Sequence, residues 1–416
     1  MQHHGAILLN CEGAGAVVTE DFGWGDEVFL SFLPLSHSYE HMAGQFFPMT
    51  IGAEIYYAEG ADTLAANLVE ARPTIMTAVP RLYETFHHRI TLGVKKAGGL
   101  KEKMFNRTVE LGTRDFQHPG SLDFGERIVN RVLDVLVRRK VQKRFGGRLK
   151  ALISGGAPLN PEIGMFFTAL GLRILQGYGQ TETSPSVSIN IPSTMKLHTV
   201  GPPLKGVEVK IADDGEILAR GPNVMVGYYN NPDATAAVIR DGWFYTGDIG
   251  RIDADGYLSI TDRKKELIVT AGGKNVAPQP IEGLLKRDPL VAEAVLVGDR
   301  RRFVSVLLVP DFPTLEQRLA VDGLAPGTPA ELVCREDVQQ IFQPIVDQAN
   351  SELASYEQVK RFALLPAEFS VATGELTPTL KVKRRLVEER WKDVIEEIYA
   401  ANPKKSGGRR QEAGGI

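Results

Sequence analysis

From Val28 to Ala78 short apolar runs alternate with stretches of helical spacing. FLSFLPL (29–35) reads as a buried strand, and Ser36 as the N-cap of a helix through HSYEHMAGQFFPMTIG. AEIYYAEG predicts a second strand, LAANLVEARP a further helix and TIMTAVP a third strand. PRLYETFHHRI then opens a helix with proline in its first turn, where the missing N–H costs nothing. Strands and helices alternating at these lengths predict a parallel sheet.

Residues 91–145 break that rhythm. They are rich in Lys, Arg and Glu, and Ile128, Val132, Val135 and Leu136 stand at helical spacing, so they predict a helical insertion ahead of the strand LKALIS. Past Gly201 the pattern shortens to strands and turns (VEVKI, ADDGEIL, DADGYLSI), which predicts a distorted β-subdomain. Beyond Asp262 comes a smaller unit. Its elements are the helix PQPIEGLLKRD, the strands VAEAVLVG and FVSVLLVP, a helix near VQQIFQPIVDQANSEL and the strand VKRFALL. A final helix, Lys383 to Ala400, is amphipathic through Leu386, Trp391, Val394, Ile395 and Ile398. The fold class is therefore α/β: a large N-terminal domain of parallel-sheet α/β layers plus a distorted β-subdomain (1–262), then a small α+β C-terminal domain (263–402). The Gly-rich, charged tail 403–416 is expected to be disordered.

Composition narrows the function classes. The 416 residues are 43% hydrophobic and 24% charged, ordinary for a globular protein, and a net charge of −3 gives no footprint for nucleic acid. Cys11 and Cys334 stand far apart in no metal-ligand spacing, which suits a reducing cytoplasm. No segment approaches the roughly 18 consecutive apolar residues of a membrane span, so at most peripheral membrane association is expected. The N-terminus MQHHGAILLNC has an apolar run but no basic region, and fails as a leader.

Candidate chemistry collects in ISGGAPL (153–159), QGYGQTETSP (176–185), YTGDIG (245–250), DRKKELIVTAGGKNVAP (262–278) and GELTPTLKVKRR (374–385). Gly155 and Gly156 let a backbone approach a flat ring closely. Thr181 can bond a phosphate oxygen, and the hard carboxylate of Glu182 suits Mg²⁺ beside phosphate. Asp248 can accept hydrogen bonds from a pair of hydroxyls, and Arg263 offers a fixed donor fork. A separate signal is His37-x-x-Glu40-His41, inverted zincin spacing, which would make a zinc metalloprotease if a third ligand were at hand.

With these segments in this order, the chain from about Phe32 to about Arg385 resembles the adenylate-forming superfamily of acyl-CoA synthetases, luciferases and peptide-synthetase adenylation domains. The insertion and the wording LTPTLKVKRR are similar to the long-chain fatty acyl-CoA synthetase branch. The resemblance implies ATP-dependent activation of a fatty acid to acyl-AMP and transfer to CoA, with Mg²⁺. It implies that Gly155, Gly156, Ala157 and Pro158 line an adenine pocket with Gly179, and that Tyr178 stacks on the base. Thr181 would meet phosphate, Glu182 the metal, and Asp248 and Arg263 the ribose and phosphate. His37 would border the acyl pocket and Lys265 would be a hinge. Gly272, Gly273 and Lys274 would meet CoA. Lys381 would bridge the acyl oxygen and the α-phosphate, with Lys383 competing because Leu380 stands where many members have glycine. The Ser/Thr/Gly-rich phosphate loop of the superfamily does not occur, so Met1 reads as an internal methionine. A separate N-terminal fragment then becomes a candidate partner, and a catalytically inactive adenylate-binding protein the alternative.

Overall fold

The computed structural model describes residues 1–23, 25–60, 62–377 and 382–400. Lys381 and the tail 403–416 lie outside the described residues. Contacts divide the chain into Met1–Lys265 and Glu266–Ile416. The division falls three residues beyond the 262/263 boundary expected from the sequence. Arg263 still closes a strand of the first unit, and Lys264 is held there by Asp214 and Glu216.

The first unit is built on a six-stranded sheet. In chain order its strands are β1 (Val28–Ser31), β2 (Glu54–Tyr57), β3 (Ile75–Ala78), β4 (Ala151–Ser154), β5 (Ile174–Gly179) and β6 (Ser186–Ile189). The spatial order is β2-β1-β3-β4-β5-β6, parallel from β2 through β5, with β6 antiparallel on β5. Side chains alternate across it. Leu30, Met76, Leu152 and Ile174 enter one core with Phe145, Phe166 and Phe167; Phe29 and Ile75 enter the other with Cys11, Ala14, Val18 and Phe47. A parallel sheet covered on both faces explains why these strands read as continuous apolar runs rather than alternating ones.

One local reading beside β1 needs correction. His37, not Ser36, caps the helix that follows β1: its Nδ1 accepts from the Tyr39 amide at 3.2 Å. That helix widens to a π-helical turn over His41–Phe46 before ending at Thr50. The insertion forms helices Gly99–Gln117 and Phe124–Leu133, the second continuing through a wide turn Asp134–Arg138 into Arg139–Arg144. Its helical spacing is as expected, yet Ile128, Val132, Val135 and Leu136 all face outward.

An antiparallel sheet of β7 (Glu208–Ile211), β8 (Glu216–Arg220), β9 (Ile239–Arg240), β10 (Trp243–Ile252) and β11 (Leu258–Arg263) follows. Asp214-Gly215 turns β7 into β8 and Asp255-Gly256 turns β10 into β11, both glycines with positive φ. The second unit carries the three-stranded sheet β14 (Val291–Val297), β15 (Ser305–Pro310), β16 (Phe362–Leu364), preceded by a hairpin of β12 (Ile268–Val269) and β13 (Asn275–Val276). Helices Pro278–Leu285 and Glu336–Ser351 pack on one face of the sheet. The expected final helix is two, Arg384–Arg390 and Lys392–Ala400, interrupted at Trp391 with φ −101° and ψ 22°. Val387 and Ile398 fill the other face. Cations at that helix start oppose the helix dipole. Arg384 resolves the conflict by donating to Glu282 Oε1 at 2.7 Å and to the Leu296 carbonyl at 2.5 Å.

Candidate functional site

QGYGQTETSP, YTGDIG and Arg263 meet where the two sheets of the first unit join. Tyr178 on β5 packs with Val187, Ile217, Ala219 and Leu258, so the parallel and antiparallel sheets share one small core. Out of that core its hydroxyl donates to Asp248 Oδ2 at 2.6 Å. Gln180 Nε2 donates to the same oxygen at 2.6 Å and to the Thr246 carbonyl at 2.9 Å. Asp248 stands opposite Arg263 across the β10–β11 ladder, and Arg263 Nε approaches its Oδ1 at 3.4 Å. One carboxylate oxygen is thus committed to the protein. The other has spare acceptor capacity and faces a half-exposed guanidinium. Burial and the adjacent carboxylate push the Tyr178 hydroxyl well above its ordinary pKa, so it remains a donor. At 8% exposure the ring expected to stack on adenine is mostly enclosed, and what its hydroxyl does is hold Asp248.

The loop presenting Asp248 is itself braced. Glu216 Oε1 accepts from the Gly247 amide at 2.8 Å, and Lys264 Nζ reaches Glu216 at 2.8 Å and Asp214 at 2.6 Å. The same contacts hold the Asp214 carboxyl below, and the Lys264 ammonium above, their usual ranges.

Beside Gln180 the chain turns through a short 3-10 helix, Thr181–Thr183, with Gln180 and Thr183 closing a reciprocal capping box. Gly179 makes the turn feasible: a Cβ there would lie 1.7 Å from the Pro185 carbonyl oxygen. Thr181 Oγ1 lies 3.0 Å from Ser38 Oγ, which brings the helix capped by His37 to this turn. Glu182 Oε1 accepts from the Tyr228 hydroxyl at 2.9 Å, and burial together with that carboxylate moves Tyr228 up to about 12. Among the described residues no group of three or more His, Cys, Asp or Glu could hold a metal. A single half-exposed carboxylate with one engaged oxygen fits Mg²⁺ sharing the remainder of its shell with phosphate and water.

The ISGGAPL loop leaves the end of β4. Gly155 donates to the Ala78 carbonyl at 3.1 Å and lies against the Tyr39 ring, where a Cβ would meet Cζ at 2.9 Å. Gly156, Ala157 and Pro158 are exposed, a bare backbone rim. Buried Gln176 ties the loop's far end to β5, accepting from the Leu159 amide at 3.3 Å.

The HxxEH segment is arranged for a different purpose. Glu40 is fully buried, accepting from Ser31 Oγ at 2.6 Å and Thr77 Oγ1 at 2.8 Å. Its two histidines are a helix cap (His37) and an exposed ring beside the Leu35 carbonyl (His41). In the second unit Gly272 and Gly273 form the tip between β12 and β13, and Lys274 Nζ sits 5.9 Å over the Tyr356 ring. The sequence reading overlooked Gln180, Ser38, Tyr228 and Lys264. All but Tyr228 lie inside motif segments, yet each acts through a partner remote in sequence: Asp248 for Gln180, Thr181 for Ser38, Glu182 for Tyr228 and Glu216 for Lys264.

Residues 1–229 match the AMP-binding enzyme family and residues 265–403 its C-terminal domain. The chain belongs to the AMP-binding enzyme family. Among curated relatives it is 39% identical over 384 residues to the long-chain-fatty-acid–CoA ligase FadD15 of Mycobacterium tuberculosis, covering 90% of this chain and 62% of the relative. To human long-chain-fatty-acid–CoA ligase ACSBG1 it is 34% identical, covering 90% and 55%. The chain thus spans about three fifths of the mycobacterial relative's length. Solved structures of similar fold include ATP-bound MatB from Rhodopseudomonas palustris (TM-score 0.63, 21% identity, 95% of this chain, 65% of that one). Another is the O-succinylbenzoate coenzyme A synthetase MenE of Bacillus subtilis with ATP and magnesium (TM-score 0.63, 20% identity, 93% and 66%).

Proposed function

We propose that this chain serves the AMP-forming activation of a long-chain fatty acid and its transfer to CoA. The fatty acid carboxylate attacks the α-phosphorus of ATP, pyrophosphate leaves, and the CoA thiolate then displaces AMP from the mixed anhydride. The observation carrying this reading is the Asp248 cluster: a buried carboxylate with one oxygen fixed by Tyr178 and Gln180 and the other facing Arg263, on the strand pair adjoining the Thr181–Glu182 turn.

In this reading Asp248 Oδ1 accepts from the ribose hydroxyls, the rim 155–158 borders adenine and Thr181 donates to phosphate. Mg²⁺ at Glu182 would supply neutralisation of the phosphate oxygens. Tyr228 keeps that carboxylate aimed, Ser38 borders the same turn, and His37 borders the acyl pocket. Lys265, at the junction of the two units, is the hinge, and Gly272, Gly273 and Lys274 meet CoA. Lys381 supplies the cation for charge that grows on the acyl oxygen and α-phosphate, an interaction strongest in the transition state.

Calorimetric titration of the 416-residue chain with AMP and ATP, paired with ATP–pyrophosphate exchange driven by a long-chain fatty acid, tests the proposal. AMP binding plus exchange supports it; binding without exchange favours the adenylate-binding alternative; neither overturns it. In a form that exchanges, Lys381→Ala should lower exchange by roughly a hundredfold or more while sparing thioester formation from supplied acyl-AMP. The same split at Lys383→Ala instead would move the role to Lys383.

A further inference from the structure

The helix Phe124–Arg144 has two apolar faces, where an ordinary surface helix has one. Its inner face is accounted for. Leu133 packs with Leu111 and Leu122, Val137 and Val141 join the main core, and Arg138 is buried. The Arg138 guanidinium donates to the carbonyls of Ala169 at 2.7 Å and Thr108 at 3.2 Å, which pins the helix. The outer face is a second ridge at i, i+4, i+8, i+11 and i+12. It is made of Phe124 (81% exposed), Ile128 (52%), Val132 (49%), Val135 (49%) and Leu136 (41%). Arg131 stands in the same stripe, three residues after Ile128 and four before Val135, so the ridge carries a cation within it.

Its charge points to one occupant. The 21 residues carry seven Arg or Lys and two acidic residues, in a chain whose overall charge is −3. Both acids are already paired: Glu126 with Arg107 and Arg114, Asp134 with Arg139 at 3.5 Å. Arg131, Lys140, Lys143 and Arg144 remain exposed along the helix. An aliphatic and aromatic ridge among cations suits an anionic lipid surface, with the ridge at the acyl boundary and the cations at the headgroups. Among the described residues no helix is long and apolar enough to cross a membrane, so the contact lies on the bilayer.

We infer that the outer face of Phe124–Arg144 docks this protein on an anionic phospholipid surface. The inference does not rest on the proposed chemistry. Flotation of the full chain with phosphatidylcholine vesicles, with and without phosphatidylglycerol, tests it. Binding should require phosphatidylglycerol and weaken with salt. Ile128→Ser/Val132→Ser should lower the partition coefficient by roughly tenfold, and Arg131→Gln/Lys140→Gln by a similar factor. Because these side chains are exposed, both variants should keep the wild-type thermal unfolding midpoint, and that match accompanies the measurement. Absence of binding to anionic vesicles overturns the inference, as does binding that the apolar variant leaves unchanged. A dimer in sedimentation that Ile128→Ser/Val132→Ser splits would assign the ridge to a second copy and overturn it equally.

Discussion

Two buried carboxylates in the first unit look alike in sequence and differ in what surrounds them. Glu40 is enclosed by two neutral hydroxyls, and burial raises its pKa. Asp248 has a phenol and an amide on one oxygen, and on the other a guanidinium that is itself half exposed. The first arrangement completes its own hydrogen bonding inside the sheet; the second leaves acceptor capacity pointing toward solvent-accessible charge. The lesson concerns recognition of sites. A histidine-flanked glutamate has the spacing of a metal site, yet an open oxygen beside a half-exposed cation is the better mark of a ligand site.

The largest effect that would test this contrast is expected at Asp248. Asp248→Ala should reduce AMP affinity by roughly a hundredfold, and depriving Tyr178 and Gln180 of their shared acceptor should also lower stability by about 1–3 kcal/mol. Calorimetry and chemical denaturation read the two separately, and unchanged AMP affinity would remove Asp248 from the site. Gln180→Ala, which removes one of the two donors on Oδ2 without deleting the charge, should cost AMP affinity roughly tenfold.

A smaller effect is expected at Tyr228→Phe, which should raise the Mg²⁺ concentration needed for half-maximal exchange by a few-fold. The Tyr228 hydroxyl, moved up to about 12, stays protonated through the working range. The shift should therefore be equal at neutral and mildly alkaline pH; a shift confined to one of them would count against an aiming role.

Glu40→Gln should leave AMP affinity unchanged and alter only the pH dependence of stability. Because the folded-state pKa of Glu40 is raised, the folded form holds its proton over a range where the unfolded chain has lost it. Stability contributed by that proton is full below the ordinary glutamate range and declines as pH rises through the folded pKa. The variant lacks this decline, so denaturation midpoints across acid to neutral pH should diverge upward for Glu40→Gln. Parallel curves would mean that Glu40 is not the group responsible.

Much of the sheet was legible because strands covered on both faces are mostly apolar on both, as FLSFLPL and TIMTAVP are apart from Ser31, Thr74 and Thr77. The glycine-rich segments were legible for a local reason: Gly179 and Gly155 sit where a Cβ would collide with Pro185 or Tyr39. What escaped was set by partners remote in sequence. Tyr228 reaches Glu182 across 46 residues and Ser38 reaches Thr181 across 143, and no spacing rule encodes either meeting. Orientation escaped too. Helical spacing at Ile128 and Val132 is the same whether that face turns inward or outward; the packing of Leu133, Val137 and Val141 and the anchoring of Arg138 decide it.

Three successive residues at the end of β11 have unlike mechanical duties. Arg263 faces the carboxylate, Lys264 is fastened by its side chain to Asp214 and Glu216 and by its amide to the Gly247 carbonyl at 2.8 Å, and Lys265 is the last residue of its unit. Lys264 thus works as a bolt at the end of β11. If Lys265 is the hinge proposed above, torsion there would be stopped one residue short of the loop that aims Asp248, and the proposed grip on a nucleotide would not loosen.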